Sequence, residues 1–371
     1  MAAHGVTMSH YKDGACYTEG PTQKISMRSL AVVRALGGEA FVDATVLSIM
    51  MNSSGTKAIG VRVANTSALH ANGGIEDEVE ITEIRAKKIV VATSVYNLYN
   101  KLLPQDLPVV REFQDPTKRT ITQSNGHIFL FCKIRGDSRK LNLPTHNLWY
   151  FNGYDLDDAF AKYFKDPASV RPPTVYIGFP CTKDTTWPRR FPKTSNCILI
   201  SDGLWEWFSR WSTVDHEDRD QLPDYVEFKD KLTRHLLDIL YETVPETKGN
   251  VEFYELGTPL SEITYLGSWH GGSYGTKCLT SMFSEENRKW TTTPYTPLAN
   301  VYLAGSDAFL PAVCGAMYGG CFGASAVMGP ARTFKHTLHF LWVFASYLRE
   351  ENPKLSLLES IKMAADKFVN E

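Results

Sequence analysis

A chain of 371 residues is long enough for two domains with a substantial core. With 43% hydrophobic and 22% charged residues its composition is that of an ordinary globular protein, which excludes the disordered and fibrous classes. A formal net charge of −2 gives no general attraction to nucleic acid, so no nucleic-acid partner is expected.

Residues 1–10 read neither as a secretory signal nor as a transit segment. Apolar groups at Ile25, Leu30, Val33 and Leu36 recur at helical spacing and predict a helix over 24–36, stopped by Gly37-Gly38. Strand-like runs follow at Ala40–Asp43, Val46–Met51, Lys57–Val63, Val79–Ile84 and Lys88–Thr93, with Asn52-Ser-Ser-Gly55 as a turn between two of them. The polar stretch Ser67–Asp77 reads as a loop. Ile89-Val-Val-Ala92 is continuously apolar, as expected of a strand buried on both faces.

From about Val110 to Val251 the character changes. Strand-like runs at His127–Lys133, Thr174–Phe179 and Cys197–Ser201 mix with a helical run at Phe228–Tyr241, and aromatics concentrate in Leu148–Asn152 and Leu204–Trp211. Trp207 and Trp211, four apart, would share one helix face; such a stripe serves either a core or a ligand wall. This segment is assigned to substrate binding because it interrupts two segments of cofactor-binding character.

The most informative stretch lies near the end: Asn300-Val-Tyr-Leu-Ala-Gly-Ser-Asp307, then Gly315-Ala-Met-Tyr-Gly-Gly-Cys-Phe-Gly-Ala-Ser-Ala326. It reads as a buried strand, a glycine turn presenting one carboxylate, and a helix with few bulky groups in its first turns. Four helical glycines, Gly315, Gly319, Gly320 and Gly323, cost about 1 kcal/mol each against alanine. That cost implies a close approach, either by a planar cofactor or by a packed neighbour. Asp307 is placed to accept from a ribityl or ribose hydroxyl, or to cap the next turn. The helix N-terminus supplies partial positive charge. A second glycine-rich stretch, Tyr265-Leu-Gly-Ser-Trp-His-Gly-Gly-Ser-Tyr-Gly275, could wall a cofactor ring or carry an acid, but it lacks the order of a phosphate loop. His270, Tyr274 and Tyr11 are the candidates for a proton donor, and the catalytic residue is left open among them.

The terminal run Leu338–Leu348 is too short to span a bilayer. Rich in aromatics and flanked by Lys335 and Arg349, it reads either as a core-docked helix or as one lying in a membrane interface. The seven cysteines include no C-x-x-C pair, so reduced thiols are expected and a metal site is not. Cys314 and Cys321 share one helix face and read as small packing residues.

Taken together, His10–Tyr17, Pro180-x3-Asp184-x2-Trp187-x3-Phe191-Pro192, Tyr225–Lys229, Gly257-Thr-Pro-Leu260, Gly271–Gly275 and Asn300–Ala326 resemble the all-trans-retinol 13,14-reductase (retinol saturase) branch of the phytoene desaturase and carotenoid isomerase group of FAD flavoproteins. The resemblance implies an α/β (mixed α+β) fold: the C-terminal part of a Rossmann-like FAD-binding domain with an inserted substrate-binding domain. It implies a partial FAD domain with a β-meander over 1–109, a substrate domain over 110–250, a C-terminal FAD segment over 251–330 and a helical tail over 331–371. It also implies FAD as cofactor, with NAD(P)H as a candidate electron source. Asp307, after Gly305, would meet the ribityl–pyrophosphate part; Gly315, Ala316 and Met317 would lie under the isoalloxazine edge; Val46 would pair with adenine and Ala92 would line the nucleotide. The implied reaction is reduction of a carbon–carbon double bond in an apolar polyene, all-trans-retinol to its dihydro product, at the endoplasmic reticulum membrane, with peripheral contact through 335–349. The family's first Gly-x-Gly-x-x-Gly turn is absent from the sequence, so the expectation is a chain lacking that unit, as a fragment or a shortened product. The alternatives are a carotenoid isomerase or desaturase of the same group, and a non-enzymatic remnant or apolar-ligand binder without bound FAD.

Overall fold

The structure is a computed structural model and describes Gly14 and residues 16–370. These residues form a mixed fold of helices and sheets in two compact units, Thr45–Ile121 with residues 278–370, and Tyr17–Ala44 with Thr122–Lys277. The helices used below are α1 (Gln23–Ala35), α2 (Thr66–Ala71), α3 (Pro223–Thr243), α4 (Pro259–Leu266), α5 (Ala312–Met328), α6 (Pro330–Glu351) and α7 (Leu357–Asn370).

The first unit holds β1 (Ala44–Met51), β2 (Ala58–Asn65) and β3 (Ile81–Arg85) in a three-stranded sheet of that order. The Asn52–Gly55 turn forms as read, with Gly55 at φ 66° donating its N–H to the Asn52 carbonyl at 2.9 Å. Two local expectations fail. Ala40–Asp43 makes no strand, and Phe41 and Val42 stay exposed, because no neighbouring strand pairs with them. The stretch read as a loop over Ser67–Asp77 begins inside α2, because the Asn65 side chain caps that helix by accepting from the Ala68 N–H at 2.8 Å.

Strands β4 (Ile89–Val91) and β10 (Val301–Leu303) pair in parallel, with Ile89 opposite Val301 and Val91 opposite Leu303. Burial is on one face only: Val91 is buried, but Val90 is 46% exposed. Helix α5 lies against this pair, with Gly323 over the Leu303 carbonyl.

In the second unit, β5 (Gly126–Arg135), β6 (Leu148–Phe151), β7 (Thr174–Gly178), β8 (Thr194–Gly203) and β9 (Val251–Gly257) form one antiparallel sheet in the order β6-β7-β8-β5-β9. Side chains alternate between its faces. Ile128, Leu130, Cys132 and Ile134 of β5 join Leu199, Leu256 and the α3 residues Leu232, Leu236, Ile239 and Leu240 in the core. Each aliphatic side chain fully buried there contributes about 1.5–3 kcal/mol. The opposite face carries His127, Phe129 and Phe131 of β5, cross-strand from Ile198 and Ile200 of β8, with Tyr176 and Trp149 beyond. Those side chains are half-buried or exposed, and Trp149 is 63% exposed.

Trp207 and Trp211 do not share a helix face. The chain breaks between Trp205–Phe208 and the 3-10 turn Ser209–Trp211. Trp207 packs edge-on to Tyr163 at 5.2 Å, while Trp211 packs against Tyr225 and Phe228.

Candidate functional site

The first group of candidate residues lies where β4 and β10 end. In parallel sheets the loops leaving the carboxyl ends of the strands are where ligands collect. Gly305 leaves β10 at φ 75°, a conformation that a side chain strains, and a Cβ there would sit 3.4 Å from the Ala92 carbonyl. This turn brings Asp307 to the loop after β4. Its Oδ2 accepts from the Val95 N–H at 2.8 Å, and its own carbonyl accepts from the Thr292 N–H at 2.7 Å and the Thr291 hydroxyl at 3.0 Å. The buried residue is therefore held through its side chain and its backbone carbonyl.

Helix α5 starts without a side-chain cap and without acidic residues in its first turn. Ala312, its first residue, has φ 69°, a strain of about 1–3 kcal/mol for a non-glycine residue. The glycines of α5 are explained mainly by packing within the protein. A Cβ at Gly315, Gly319 or Gly323 would fall 2.2, 1.9 or 2.7 Å from the carbonyl oxygens of Leu310, Gly305 and Leu303. Only Gly320 of the four meets nothing within 4 Å. The small face thus seats the helix against β10 and its exit turn, and this fixes the uncapped N-terminus near the strand's carboxyl end. Ala316 is half-buried beside that face and Met317 is 60% exposed. Ala92 is exposed in the loop after β4, and Val46 lies on β1, 40% exposed. Cys314 and Cys321 do share a face of α5, but it is an exposed one and not a packing seam.

The second group lies in the glycine-rich loop of the other unit. At the start of α4 the Ser261 hydroxyl accepts from the Thr258 N–H at 3.1 Å, and Gly267 ends the helix in the left-handed conformation. Gly271, at φ 63°, packs so tightly that a Cβ would fall 2.4 Å from the Pro259 carbonyl; a Cβ at Gly126 would meet the Gly271 carbonyl at the same distance. This close backbone contact seats the loop on the start of β5. His270 has φ 46° and stacks on Trp205 and Trp269 with centroids 4.9 and 4.6 Å away. Tyr274 meets His127 edge-on at 5.8 Å, and burial, then the nearby Glu262, raises its phenol pKa. Tyr11 lies outside the described residues.

Sequence reasoning missed the polar chain at the centre of this loop. The Ser273 hydroxyl lies 2.8 and 3.0 Å from the two oxygens of Glu262 and 2.7 Å from His127 Nδ1. Burial pushes the Glu262 carboxyl up to about 7 against the opposing pull of the Ser273 hydroxyl and the His127 backbone N–H. Burial also lowers His127, opposed by Asp202 across the strand pair. A carboxylate in the apolar setting Pro259-Leu-Ser-Glu-Ile263 was the available signal; Ser273 lies 11 residues on, but His127, which completes the chain, lies 146 residues before Ser273, beyond any local pattern. No group of three metal-ligating side chains occurs among the described residues.

An open groove of about 520 Å³ on the same unit is walled by Phe131, Trp187, Phe191 and Phe253. Burial disfavours the thiolate in this unit: it pushes Cys132 up to about 12, Cys197 well above its usual range, and Cys181 up as well.

No family model matches the chain. It is 26% identical over 331 residues to all-trans-retinol 13,14-reductase of Danio rerio, an alignment covering 88% of this chain and 52% of the relative. It is 27% identical over 342 residues to the human protein of that name, with the same coverage. A Danio rerio protein named inactive all-trans-retinol 13,14-reductase is 27% identical over 333 residues. The chain spans about half the length of the curated relatives it matches. A crystal structure of an oxidoreductase from Methanosarcina mazei superposes with a TM-score of 0.45 at 14% identity, over 84% of this chain and 54% of that one. The likeness read from the sequence is therefore to the retinol reductases, along 88% of the chain.

Proposed function

We propose that this chain carries the C-terminal part of a Rossmann-like FAD-binding domain with an inserted substrate-binding domain, and serves an FAD-dependent reduction of a double bond in an apolar polyene. All-trans-retinol is the leading substrate, by the similarity to the retinol reductases. One observation carries the cofactor reading: a buried carboxylate and an uncapped, strained helix start converge at the carboxyl ends of a parallel strand pair. This donor set fits the ribityl and ring part of a flavin. Asp307 would orient a ribityl or ribose hydroxyl, Gly305 and Ala92 would let backbone come close, and the α5 N-terminus with Gly315, Ala316 and Met317 would oppose negative charge on the ring edge. Val46 is the proposed adenine contact. When bound, the flavin supplies the hydride, with NAD(P)H proposed as the electron source.

The polyene is proposed to lie along the aromatic face of the five-stranded sheet, where Phe129 and Phe131 stack with centroids 6.3 Å apart. An apolar chain gains there from area removed from water, and no charge need be buried. Reaching such a substrate calls for contact with a bilayer. The half-exposed Leu338, Phe340, Trp342, Val343 and Tyr347 of α6 are proposed as a peripheral anchor, at the endoplasmic reticulum by family resemblance.

The test is spectroscopic. The purified chain, reconstituted with FAD, is expected to show bound-flavin absorbance, and Asp307→Asn is expected to weaken binding at least tenfold while circular dichroism stays unchanged. Unaltered flavin affinity in that variant would remove the proposal's main support. A second reading, an apolar-ligand binder without turnover, is favoured by the relative named inactive. Retinol binding in the absence of any flavin uptake would select it. Product analysis on poly-cis carotenoids separates an isomerase or desaturase from a reductase.

A further inference from the structure

We propose that Glu262, Ser273 and His127 form a one-proton relay that opens at His127 Nε2 onto the aromatic face of the sheet and delivers the proton that completes double-bond reduction. The relay itself stands on geometry; its use in catalysis rests on the reading of the chain as a reductase.

A serine hydroxyl has one hydrogen but touches two groups that both exchange protons. Its contacts of 2.7 Å to His127 Nδ1 and 2.8 Å to Glu262 Oε1 are of normal length for hydrogen bonds on both sides. Two proton arrangements satisfy this single set of heavy-atom positions. In the charged state, protonated Glu262 donates to the Ser273 oxygen, Ser273 donates to His127 Nδ1, and the imidazole carries its hydrogen on Nε2. In the discharged state, His127 Nδ1–H donates to Ser273 and Ser273 donates to the Glu262 carboxylate. Moving from the first to the second transfers the Nε2 proton to substrate, the Ser273 proton to Nδ1 and the Glu262 proton to Ser273. The net change is one proton lost by Glu262 and one gained by substrate, with the imidazole neutral at both ends. Where reduction leaves an electron pair on a substrate carbon, that carbon would accept the proton and form the C–H bond; a bound flavin would supply the hydride for the other carbon.

The outlet is correctly placed. His127 occupies the same face of β5 as Phe129 and Phe131, with ring centroids 6.0 Å from His127 to Phe129 and 6.3 Å from Phe129 to Phe131. A polyene lying along those two rings reaches the imidazole at the end of the stripe. The charged and titratable groups facing His127 are Asp202 opposite it on β8, Tyr274 edge-on, and Glu262 through Ser273. Burial holds Glu262 protonated at a pH where an ordinary glutamate is ionised, and disfavours the imidazolium. Both shifts favour the charged state near neutrality.

The experiment uses the whole chain, with or without FAD. Infrared difference spectra against Glu262→Gln follow the protonated carboxyl, and nitrogen-15 shifts of His127 report its tautomer, from pH 5 to 9. The expected result is a single shared midpoint, with the Nε2–H form below it and the Nδ1–H form above it, uncoupled in Ser273→Ala. A His127 tautomer that stays constant across this range, or that tracks pH identically in Ser273→Ala, overturns the relay. For the catalytic role, FAD-loaded Glu262→Gln is expected to reduce retinol at least tenfold more slowly with unchanged flavin absorbance. Wild-type turnover in that variant overturns the role. Loss of flavin binding in Asp307→Asn bears on the cofactor reading alone and leaves the spectroscopic result standing.

Discussion

Glu262 makes stability depend on pH in a way that a surface glutamate would not. Its ordinary value of 4.5 is raised to about 7 in the folded protein, chiefly by burial. The folded state then holds a proton that the unfolded chain releases, so its contribution to stability is complete below about 4.5 and is lost as pH rises through about 7. The loss is at most about 3 kcal/mol, by the conversion of 1.36 kcal/mol per pKa unit. Glu262→Gln keeps a neutral amide in place, and urea unfolding at pH 5 and pH 8 is expected to show a smaller difference for the variant than for the wild type. An equal or larger difference would mean that the carboxyl is not protonated in the fold. The carboxyl of Asp307 has the opposite task, holding the Val95 N–H at 2.8 Å, and an amide oxygen in Asp307→Asn can still accept that bond. Flavin affinity is therefore expected to fall more than stability in that variant.

The α5 helix shows why a glycine run must be read position by position. Gly319→Ala places a methyl 1.9 Å from the Gly305 carbonyl, so the helix must lift from β10. The expected cost is about 2–4 kcal/mol, beyond the gain of about 1 kcal/mol in helix propensity. Gly320→Ala meets open space and is expected to stabilise by about 0.5–1 kcal/mol. Thermal melts of the two variants check this contrast; equal shifts would deny the close seat. The repeat Gly315, Gly319, Gly323 was legible in the sequence as a demand for closeness. What came close was not, because a helix face records that a neighbour is near and not whether it is backbone or ligand. The glycine stop after α1 and the Asn52–Gly55 turn were legible for the opposite reason: each is settled within four residues. α2 was hidden because the polar composition of Ser67–Asp77 outweighed a single capping residue, Asn65.

At the scale of the molecule, the exposed apolar side chains of α6 are the feature that bears most on where the protein works. No helix among the described residues is long and apolar enough to cross a membrane. Phe340 and Trp342 are 54% and 55% exposed, and such side chains gain by partitioning into the interfacial layer. Flotation with vesicles of neutral and anionic phospholipid is expected to carry the chain upward, and Phe340→Glu with Trp342→Glu is expected to abolish this without changing the melting temperature. Recovery of the wild type only in the bottom fraction would remove the proposed anchor.

Beyond the likeness to the all-trans-retinol 13,14-reductases, the sequence by itself determined the local pieces: most strands, the main helices and the glycine turn before Asp307. These follow from patterns of periodicity, turn chemistry and spacing that are written within a few residues. The tertiary structure decided what those pieces meet. Asp307 reaches Val95 across 212 residues, and His127 reaches Ser273 across 146. Contacts at that separation depend on how sheets pair and backbones close upon each other, and no local pattern carries that information.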